Sequence, residues 1–321
     1  MGLVADPSPN TAIAPTLRID DPVLHEFAAD VGSEGPIAVV GGRTRWDLGG
    51  AADDDVRLVT SPSGIVAYTP DEMTVQVRTG TTVAELHAAL AERNQRTALA
   101  ERSTASTVGG ALAVGENDVH VLGRGRVRTA LLQVRYVSAE GRLVTGGGPT
   151  VKNVSGFDLP RLMVGSLGTL GLLAEVILRT NPIPAVSVWL TSPDCDPFAV
   201  LDTVRSPSAV LFTQGRTWVQ LEGHGPDIDH ERARLDAIGA FTETEGEPPL
   251  PMHRWSLSPA DLRTFDGPAD SVLSIGVGTV WSSEPQSPRR LAGSNALIAS
   301  RLKREFDPTG RLNPGRNPAA R

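Results

Sequence analysis

The stretch from Thr104 to Thr180 decides the fold of this chain, and a glycine cluster lies near each of its ends. The first cluster is STVGG, residues 106–110, and the second is GSLGTLG, residues 165–171. Glycine is entropically costly inside regular structure, so clusters beside β-rich segments indicate backbone that passes close to another group. We therefore expect both clusters to approach a bound molecule closely.

The residues between and after the clusters predict regular elements of both kinds. Segments 130–137 and 142–145 have the pattern of a β-hairpin around the turn at 139–141. Asp158 can cap a short helix, and the apolar segment 172–178 is typical of a central strand. Helix and strand patterns alternate up to about residue 180, which indicates an α+β or α/β domain.

Upstream, a buried strand over residues 37–40 runs directly into GGRTRWD, residues 41–47. Paired glycines after a strand leave several backbone N–H groups free to converge on an anion, although an ordinary turn has the same pattern. Segment 73–79 alternates as a half-buried strand, and Thr82 with Glu85 forms a capping box for the next helix.

The character of the sequence changes at the proline pair 181–184, which predicts a linker. Beyond it, strand candidates at 187–191, 210–212, 218–221 and 272–280 surround a helix near 230–238, so a small four-stranded α+β cap is expected. The closing helix presents Ile298, Leu302 and Phe306 on one face and ends at Asp307. The expected domains are a disordered N-terminus (1–15), a first domain (16–180, with a break near 57–70), the cap (181–290), and a helix and tail that return to the first domain (291–321).

Composition excludes several classes of function. A formal net charge of −7 opposes binding to a phosphate backbone, so nucleic acid is not an expected partner. Because no apolar run reaches the roughly 18 residues that cross a bilayer, we expect a cytoplasmic protein whose membrane association, if any, comes through partners. The one cysteine, Cys195, excludes an internal disulfide and an iron–sulfur site.

Lysine is rare in this chain. Of 30 basic residues only Lys152 and Lys303 are lysines, and the rest are arginines. A sequence that uses arginine by default can retain lysine by chance, or where a compact ammonium group is needed and a planar guanidinium is not.

Four motifs in order resemble those of the vanillyl-alcohol-oxidase (PCMH-type) flavoproteins. They are GGRT at 41–44, TVGG at 107–110, the cluster at 165–171, and FDP at 306–308 followed by NPG at 313–315. The run KNVSGFD, residues 152–158, is similar to one in the smaller FAD-binding subunits of bacterial glycolate oxidases. The resemblance implies a two-lobed α+β FAD-binding fold with a small cap and a tail that returns to the flavin domain. A Rossmann fold is not indicated, because no GxGxxG follows a strand.

The resemblance also implies the cofactor site. One loop would hold the FAD pyrophosphate through backbone N–H groups, the first glycine cluster would follow the ribityl chain and the ring system, the second would border the dinucleotide from the opposite sheet, and the tail would approach the ring. In that order the expected contacts are Gly41, Gly42, Arg43, Thr44; Ser106, Thr107, Gly109, Gly110; Gly168, Thr169, Gly171; and Asn313. Each of these positions has a structural turn as its alternative.

We expect FAD to be held noncovalently. Several members of the family tether it through a histidine at the pyrophosphate loop or through a cysteine, but here the loop carries Arg43 and Cys195 lies outside the motifs. The sequence departs from the family pattern at three positions. Arg43 stands where a third glycine is common, Phe157 stands where a tyrosine is common, and Thr129 stands where an aspartate is common. These departures bear on flavin geometry and on catalytic competence.

The implied chemistry is oxidation of a small hydroxy acid by hydride transfer to the flavin, or relay of electrons. No catalytic residue is identified; His120 is a weak candidate to face the flavin, against the alternative of a surface-loop histidine. Arg124, Arg126 and Arg128 can clamp a carboxylate, contact a partner or be solvated. No metal site is expected.

The cap offers few acid–base groups. Its cluster around His224 and His230 lacks the spacing for two ligands on one helical face, and residues 229–231 are interpreted as a helix N-terminus. The implied partners are therefore a larger flavoprotein subunit and an iron–sulfur subunit. The alternatives are a free-standing flavin oxidase or dehydrogenase for another small alcohol or hydroxy acid, and a scaffold subunit without flavin.

Overall fold

The computed structural model describes residues 21–149, 158–287 and 293–318. The N-terminal segment 1–15 predicted to be disordered lies outside the described residues, and so does the run 152–157 with its lysine. No helix within the described ranges is long and apolar enough to cross a membrane.

The N-terminal lobe, residues 21–180, contains two sheets with helices packed on them. Its helices are α1 (Pro22–Val31), α2 (Val83–Ala91), α3 (Val108–Val114), α4 (Val121–Arg124), α5 (Val127–Ala130) and α6 (Leu159–Met163). Its strands are β1 (Ile37–Val39), β2 (Arg57–Val59), β3 (Ile65–Thr69), β4 (Thr74–Arg78), β5 (Gln95–Arg96), β6 (Leu131–Val137), β7 (Leu143–Gly147) and β8 (Leu172–Arg179).

The larger sheet of this lobe has the order β3-β4-β8-β6-β7, with antiparallel neighbours throughout. Strand β8 lies at the centre of this sheet, and all its side chains except that of Arg179 are buried. The prediction of a central strand at 172–178 is confirmed. The helix α2 begins where Thr82 accepts a hydrogen bond from the backbone N–H of Glu85, which confirms the cap at Thr82. Val83, Leu86 and Leu90 then bury one face of α2 against the sheet.

The smaller sheet pairs β1 with β2 in parallel. It packs against α1, whose buried side chains include Leu24 and Phe27. Because β2 belongs to this sheet and β3 to the larger one, we propose the subdomain break near residues 57–70 that the sequence predicts.

The cap lobe, residues 181–287, contains helices α7 (Pro197–Thr203) and α8 (Gly225–Asp236). Its strands are β9 (Asn181–Pro182), β10 (Val186–Ser192), β11 (Pro207–Thr213), β12 (Arg216–Gly223), β13 (Thr242–Thr244), β14 (His253–Ser256), β15 (Val272–Ser274) and β16 (Thr279–Ser282). Seven of these form one sheet in the order β13-β10-β12-β11-β15-β16-β14. We propose the domain boundary at residue 180, because the five-stranded sheet of the N-terminal lobe and the seven-stranded sheet of the cap share no strand, although the short strands β5 and β9 pair across the boundary.

The prediction of four cap strands is wrong. The segment 272–280 was expected to be one strand, but it turns back on itself and gives the hairpin of β15 and β16. Gly276 and Gly278 have φ values of 80° and 87°, which is the left-handed region that a tight turn needs. The short strands β13 and β14 add the two edges of the sheet.

Two other cap predictions need correction. Residues 229–231 lie inside α8, which begins at Gly225 with a proline in its first turn. The proline pair at 181–184 is not a free linker, because β9 pairs with β5 of the N-terminal lobe and the N–H of Ile183 bonds to the carbonyl of Asn94.

The cap core packs apolar side chains between the sheet and the two cap helices. Cys195 is part of it and is 6% exposed. Burial raises the pKa of this thiol, and the charge of Asp196 acts in the same direction.

One carboxylate in the cap binds two arginines of the N-terminal lobe. Glu222 on β12 accepts two hydrogen bonds from Arg96, at 2.8 and 2.7 Å, and one from Arg124 at 3.2 Å. The hydroxyl of Ser208 donates a fourth at 2.6 Å. Burial opposes the charged form of Glu222, but these donors and the two positive charges outweigh it and lower the pKa of Glu222 to about 2.

The C-terminal segment forms helix α9 (Gly293–Phe306) and a tail that returns to β1. The buried carboxylate of Asp307 accepts hydrogen bonds from the ammonium group of Lys303 at 2.6 Å and from the backbone N–H of Arg311 and Leu312. Lys303 also donates to the carbonyl oxygens of Thr169 and Leu312, so this lysine occupies a site where a compact ammonium has three acceptors.

Arg311 fixes the same tail to the end of α1, to the loop that follows it and to the turn after β6. Its guanidinium donates to five backbone carbonyls, those of Val31, Gly32, Glu34, Gly35 and Ala139. We call Lys303, Asp307 and Arg311 the tail lock.

We expect Glu222→Gln to weaken the contact between the two lobes and so to lower the free energy of unfolding. The side chain of Glu222 is 6% exposed, and its neutralisation leaves the largely buried guanidinium of Arg96 without a counter-ion while Arg124 keeps Asp118, so the free energy of unfolding at pH 7 should fall by about 3 kcal/mol. Since the folded pKa is depressed, this stabilisation is complete above pH 4.5 and is lost as the pH falls towards 2. Urea unfolding from pH 2 to 7 measures both effects.

The matched control is Glu243→Gln, which removes an exposed ion pair with Arg232 and should cost less than about 1 kcal/mol. Equal losses in the two variants would contradict the role of Glu222.

Candidate functional site

A cleft of about 500 Å³ opens between the two sheets of the N-terminal lobe and the C-terminal tail. It is lined by the loop after β1, by the turn after β4, by residues on both sides of the first glycine cluster, by the second cluster and by the tail. This volume is within the range of cofactor sites.

Ten of the twelve residues that the sequence predicts for a flavin site line this one cleft. They are Gly41, Gly42, Arg43, Thr44, Ser106, Thr107, Gly109, Gly110, Gly168 and Asn313. Thr169 and Gly171 are not among the lining residues. The hydroxyl of Thr169 donates to the carbonyl of Ser166, and a Cβ at Gly171 would overlap the ring of Tyr136, so these two positions serve local packing.

The loop 41–44 presents backbone donors to the cleft. Within the described residues, no acceptor takes a hydrogen bond from the N–H groups of Gly41, Gly42, Arg43 or Thr44. Arg43 has a φ of 55°, in the left-handed region, which explains why related loops often have glycine there. Consecutive free N–H groups around a left-handed residue form a concave site for an anion.

This loop is pressed against the first glycine cluster. A Cβ at Gly42 would overlap the carbonyl of Ala105, so only glycine allows the two loops to meet. The hydroxyls of Thr44 and Ser106 lie 3.4 Å apart at the same contact. The first cluster then turns into α3, with Thr107 as its cap.

The second glycine cluster and the tail meet at Gly168 and Asn313. The amide nitrogen of Asn313 donates to the carbonyl of Leu167 at 2.9 Å, and a Cβ at Gly168 would overlap that nitrogen. Leu167 and Asn313 have φ values of 52° and 44°. Left-handed non-glycine residues are strained, and together with Arg43 they give the cleft three such positions, as is typical of functional sites.

Arginine residues supply the charge of the cleft. Arg45 and Arg102 approach the carboxylate of Glu116, at 2.9 and 3.9 Å, and are partly neutralised by it. The guanidinium groups of Arg43 and Arg316 lie 5.4 and 4.8 Å from the ring centre of Trp46.

Arg316 has an unused donor. Its Nη1 bonds to the carbonyls of Leu48 and Gly50, but its buried Nη2 has no hydrogen-bond partner among the described residues. Burial lowers the pKa of this guanidinium, although the charge of Asp47 opposes the shift. A buried donor without an acceptor is costly, so Nη2 of Arg316 and the free N–H groups of loop 41–44 together fit a phosphate-bearing cofactor.

His120 does not line the cleft, and it is not a surface histidine either. It is 8% exposed, its Nδ1 lies 2.7 Å from Oδ2 of Asp118, and its ring meets Trp189 of the cap edge-on at 6.0 Å. Burial opposes the charged form of Asp118, but the hydrogen bond and the charges of His120 and Arg124 lower the pKa of Asp118. The pair therefore belongs to the contact between the lobes.

Sequence reasoning missed five charged or aromatic residues of the cleft: Arg45, Trp46, Arg102, Glu116 and Arg316. Arg45 and Trp46 were within the quoted loop but carried no separate signal. Arg316 follows the NPG motif directly, and that adjacency could have pointed to it.

Comparisons with known proteins agree with this geometry. Residues 28–147 match the model of a family described as the FAD binding domain. Glycolate oxidase subunit GlcE of Escherichia coli (strain K12) is 27% identical over 92% of this chain and 96% of its own length. Glycolate oxidase subunit GlcD of Bacillus subtilis (strain 168) is 38% identical over 25% of this chain and 17% of its own length.

A solved structure shares the fold. Alkyldihydroxyacetonephosphate synthase superposes with a TM-score of 0.63 at 14% identity, over 90% of this chain and 72% of that protein. The α+β, two-lobed PCMH-type fold is confirmed, and FAD is the cofactor that the domain and its cleft fit.

We expect Gly42→Ala to disrupt flavin binding. The added Cβ meets a backbone carbonyl, which cannot move aside cheaply, so loop 41–44 must shift and FAD affinity should fall at least about tenfold. Quenching of flavin fluorescence on binding measures the change. Gly246→Ala, where a Cβ meets open space, is the control and should bind FAD normally.

Arg316→Met tests the unused donor separately. If Nη2 faces the diphosphate, affinity for FAD and for ADP should fall about tenfold, whereas riboflavin, which has no phosphate, should bind as before. Arg304→Met on α9 is the control. An equal loss for riboflavin would mean that Arg316 acts only by packing on Trp46.

Proposed function

We propose that this chain, whose residues 28–147 match the model of the FAD binding domain, is the FAD-binding subunit of a glycolate-oxidase-type oxidoreductase. The observation that carries the proposal is the similarity to a glycolate oxidase subunit along nearly the whole of both chains. The shared cleft of ten motif residues supports it.

In this proposal the chain's own residues bind and orient the cofactor noncovalently. The N–H groups of loop 41–44, with Arg316, hold the diphosphate, and the glycine cluster 106–110 lets backbone lie against the dinucleotide. Asn313 is held by Leu167 so that the tail closes the cleft. FAD, when bound, would supply the redox chemistry, either by accepting a hydride from a small 2-hydroxy acid or by relaying electrons from another flavin.

A general base is the missing part of this machinery. The described lining residues include no histidine, and the one carboxylate among them, Glu116, is paired with Arg45. His120 is held by Asp118 at the lobe contact. We therefore propose that the chain works beside a larger flavoprotein subunit and an iron–sulfur subunit, relaying electrons, and that any membrane association comes through them.

The test is to purify the chain alone and together with its partner subunits, and to add glycolate or lactate without oxygen. We expect the isolated chain to bind FAD, with absorbance near 450 nm, and to remain oxidised, whereas flavin in the assembled complex is reduced. Spectral titration measures both.

Two outcomes would replace this proposal. Reduction of the isolated chain by a hydroxy acid would make it a free-standing dehydrogenase or oxidase. A colourless chain that binds no added FAD would make it a scaffold subunit.

A further inference from the structure

A second cavity, of about 710 Å³, lies between α5, α6 and the cap strand β14. Four arginines line it: Arg126 and Arg128 at α5, Arg161 on α6, and Arg254 on β14. The carboxylate among its described lining residues is Asp158. We call this cavity the arginine cleft.

The positive charge of the arginine cleft is largely uncompensated. Arg161 pairs with Asp158 at 2.9 Å, but neither Arg126 nor Arg128 makes an ion pair or side-chain hydrogen bond with a described residue. The chain as a whole carries a net charge of −7, so the positive charge of this concave site is opposite in sign to that of the whole chain. Like charges held together raise the energy of the free protein, which an anion would lower.

Arg254 is the least exposed of the four arginines in the arginine cleft. Its buried Nε has no hydrogen-bond partner among the described residues. Burial lowers the pKa of this guanidinium; the charge of Glu116 opposes the shift, while those of Arg126 and Arg102 add to it. A desolvated guanidinium whose Nε has no acceptor is stabilised when an anion supplies one.

The arginine cleft and the flavin cleft lie on opposite sides of one segment. Val114 and Glu116 line the flavin cleft, whereas Gly115 and Asn117 line the arginine cleft. Gly115 ends α3 in the left-handed conformation, with a φ of 66°, so the chain turns at the point where the two clefts divide it. None of the four arginines lines the flavin cleft, so the arginine cleft is a separate site and does not depend on the proposed function.

We propose that the arginine cleft binds a small polyvalent oxyanion, either a dicarboxylate or a phosphate group. Guanidinium groups pair with both through parallel N–H donors. Arginines from both lobes line the site, so a bound anion also bridges the cap to the N-terminal lobe. A concave site with one buried donor favours a small anion over a flat protein surface.

The test is isothermal titration calorimetry of the FAD-saturated chain with malonate and, separately, with inorganic phosphate. Loading with FAD keeps phosphate out of the flavin cleft, and sodium chloride at equal ionic strength corrects for screening. We expect saturable binding of one anion per chain by at least one probe, and the stronger probe identifies the class. Arg254→Met and Arg128→Met should each weaken it at least about tenfold.

Arg216→Met is the matched control, because it removes the same charge from an exposed hairpin residue outside the cleft, and it should bind as the unaltered chain does. Arg128 is exposed, so its variant keeps the test valid if Arg254→Met does not fold. The proposal is overturned if neither malonate nor phosphate shows saturable binding. It is also overturned if Arg128→Met binds the anion as tightly as Arg216→Met does. If FAD does not bind, the same titrations without FAD still test the arginine cleft. Weaker anion binding in Arg128→Met but not in Arg216→Met then places the anion in the arginine cleft.

Discussion

The flavin cleft depends on a group of charges that lies outside it. Two of its wall residues, Asn313 and Arg316, come from a tail that has no strand or helix of its own to hold it. The tail lock supplies that support: Asp307 is a buried carboxylate with its acceptor capacity filled, and Lys303 joins it to the second glycine cluster. Since removal of Lys303 would leave Asp307 buried without its counter-ion, the tail and the cluster are fixed together.

The two ways in which this chain handles charge are physically different. In the tail lock and at Glu222, the charged groups are hydrogen-bonded to partners within the protein, so the charges fix structure. In the flavin cleft and the arginine cleft, donors lack acceptors within the described chain. Unfilled hydrogen-bonding capacity costs energy in the free protein, and a ligand that fills it recovers that energy.

The sequence predicted which segments share one cleft because its motifs are local. A glycine pair alone also fits an ordinary turn, but the order of the pairs along the chain carried the resemblance to the family. Thr169 and Gly171 belong to the same motif but pack elsewhere, because a glycine can also accommodate an aromatic ring such as that of Tyr136. The burial of His120 and the seven strands of the cap depend on contacts between distant segments, which neither periodicity nor composition records. Arg316 was missed since its role depends on Trp46, 270 positions earlier in the chain.

The position of Cys195 gives this protein an internal reporter. It is the only thiol in the sequence, and it is buried in the cap core beside α8 with a pKa above its usual value. A maleimide or disulfide reagent in solution can modify it only when that core opens, because the reactive thiolate is both scarce and shielded. Alkylation rates therefore follow opening of the cap alone, and they do so without any label, tag or substitution.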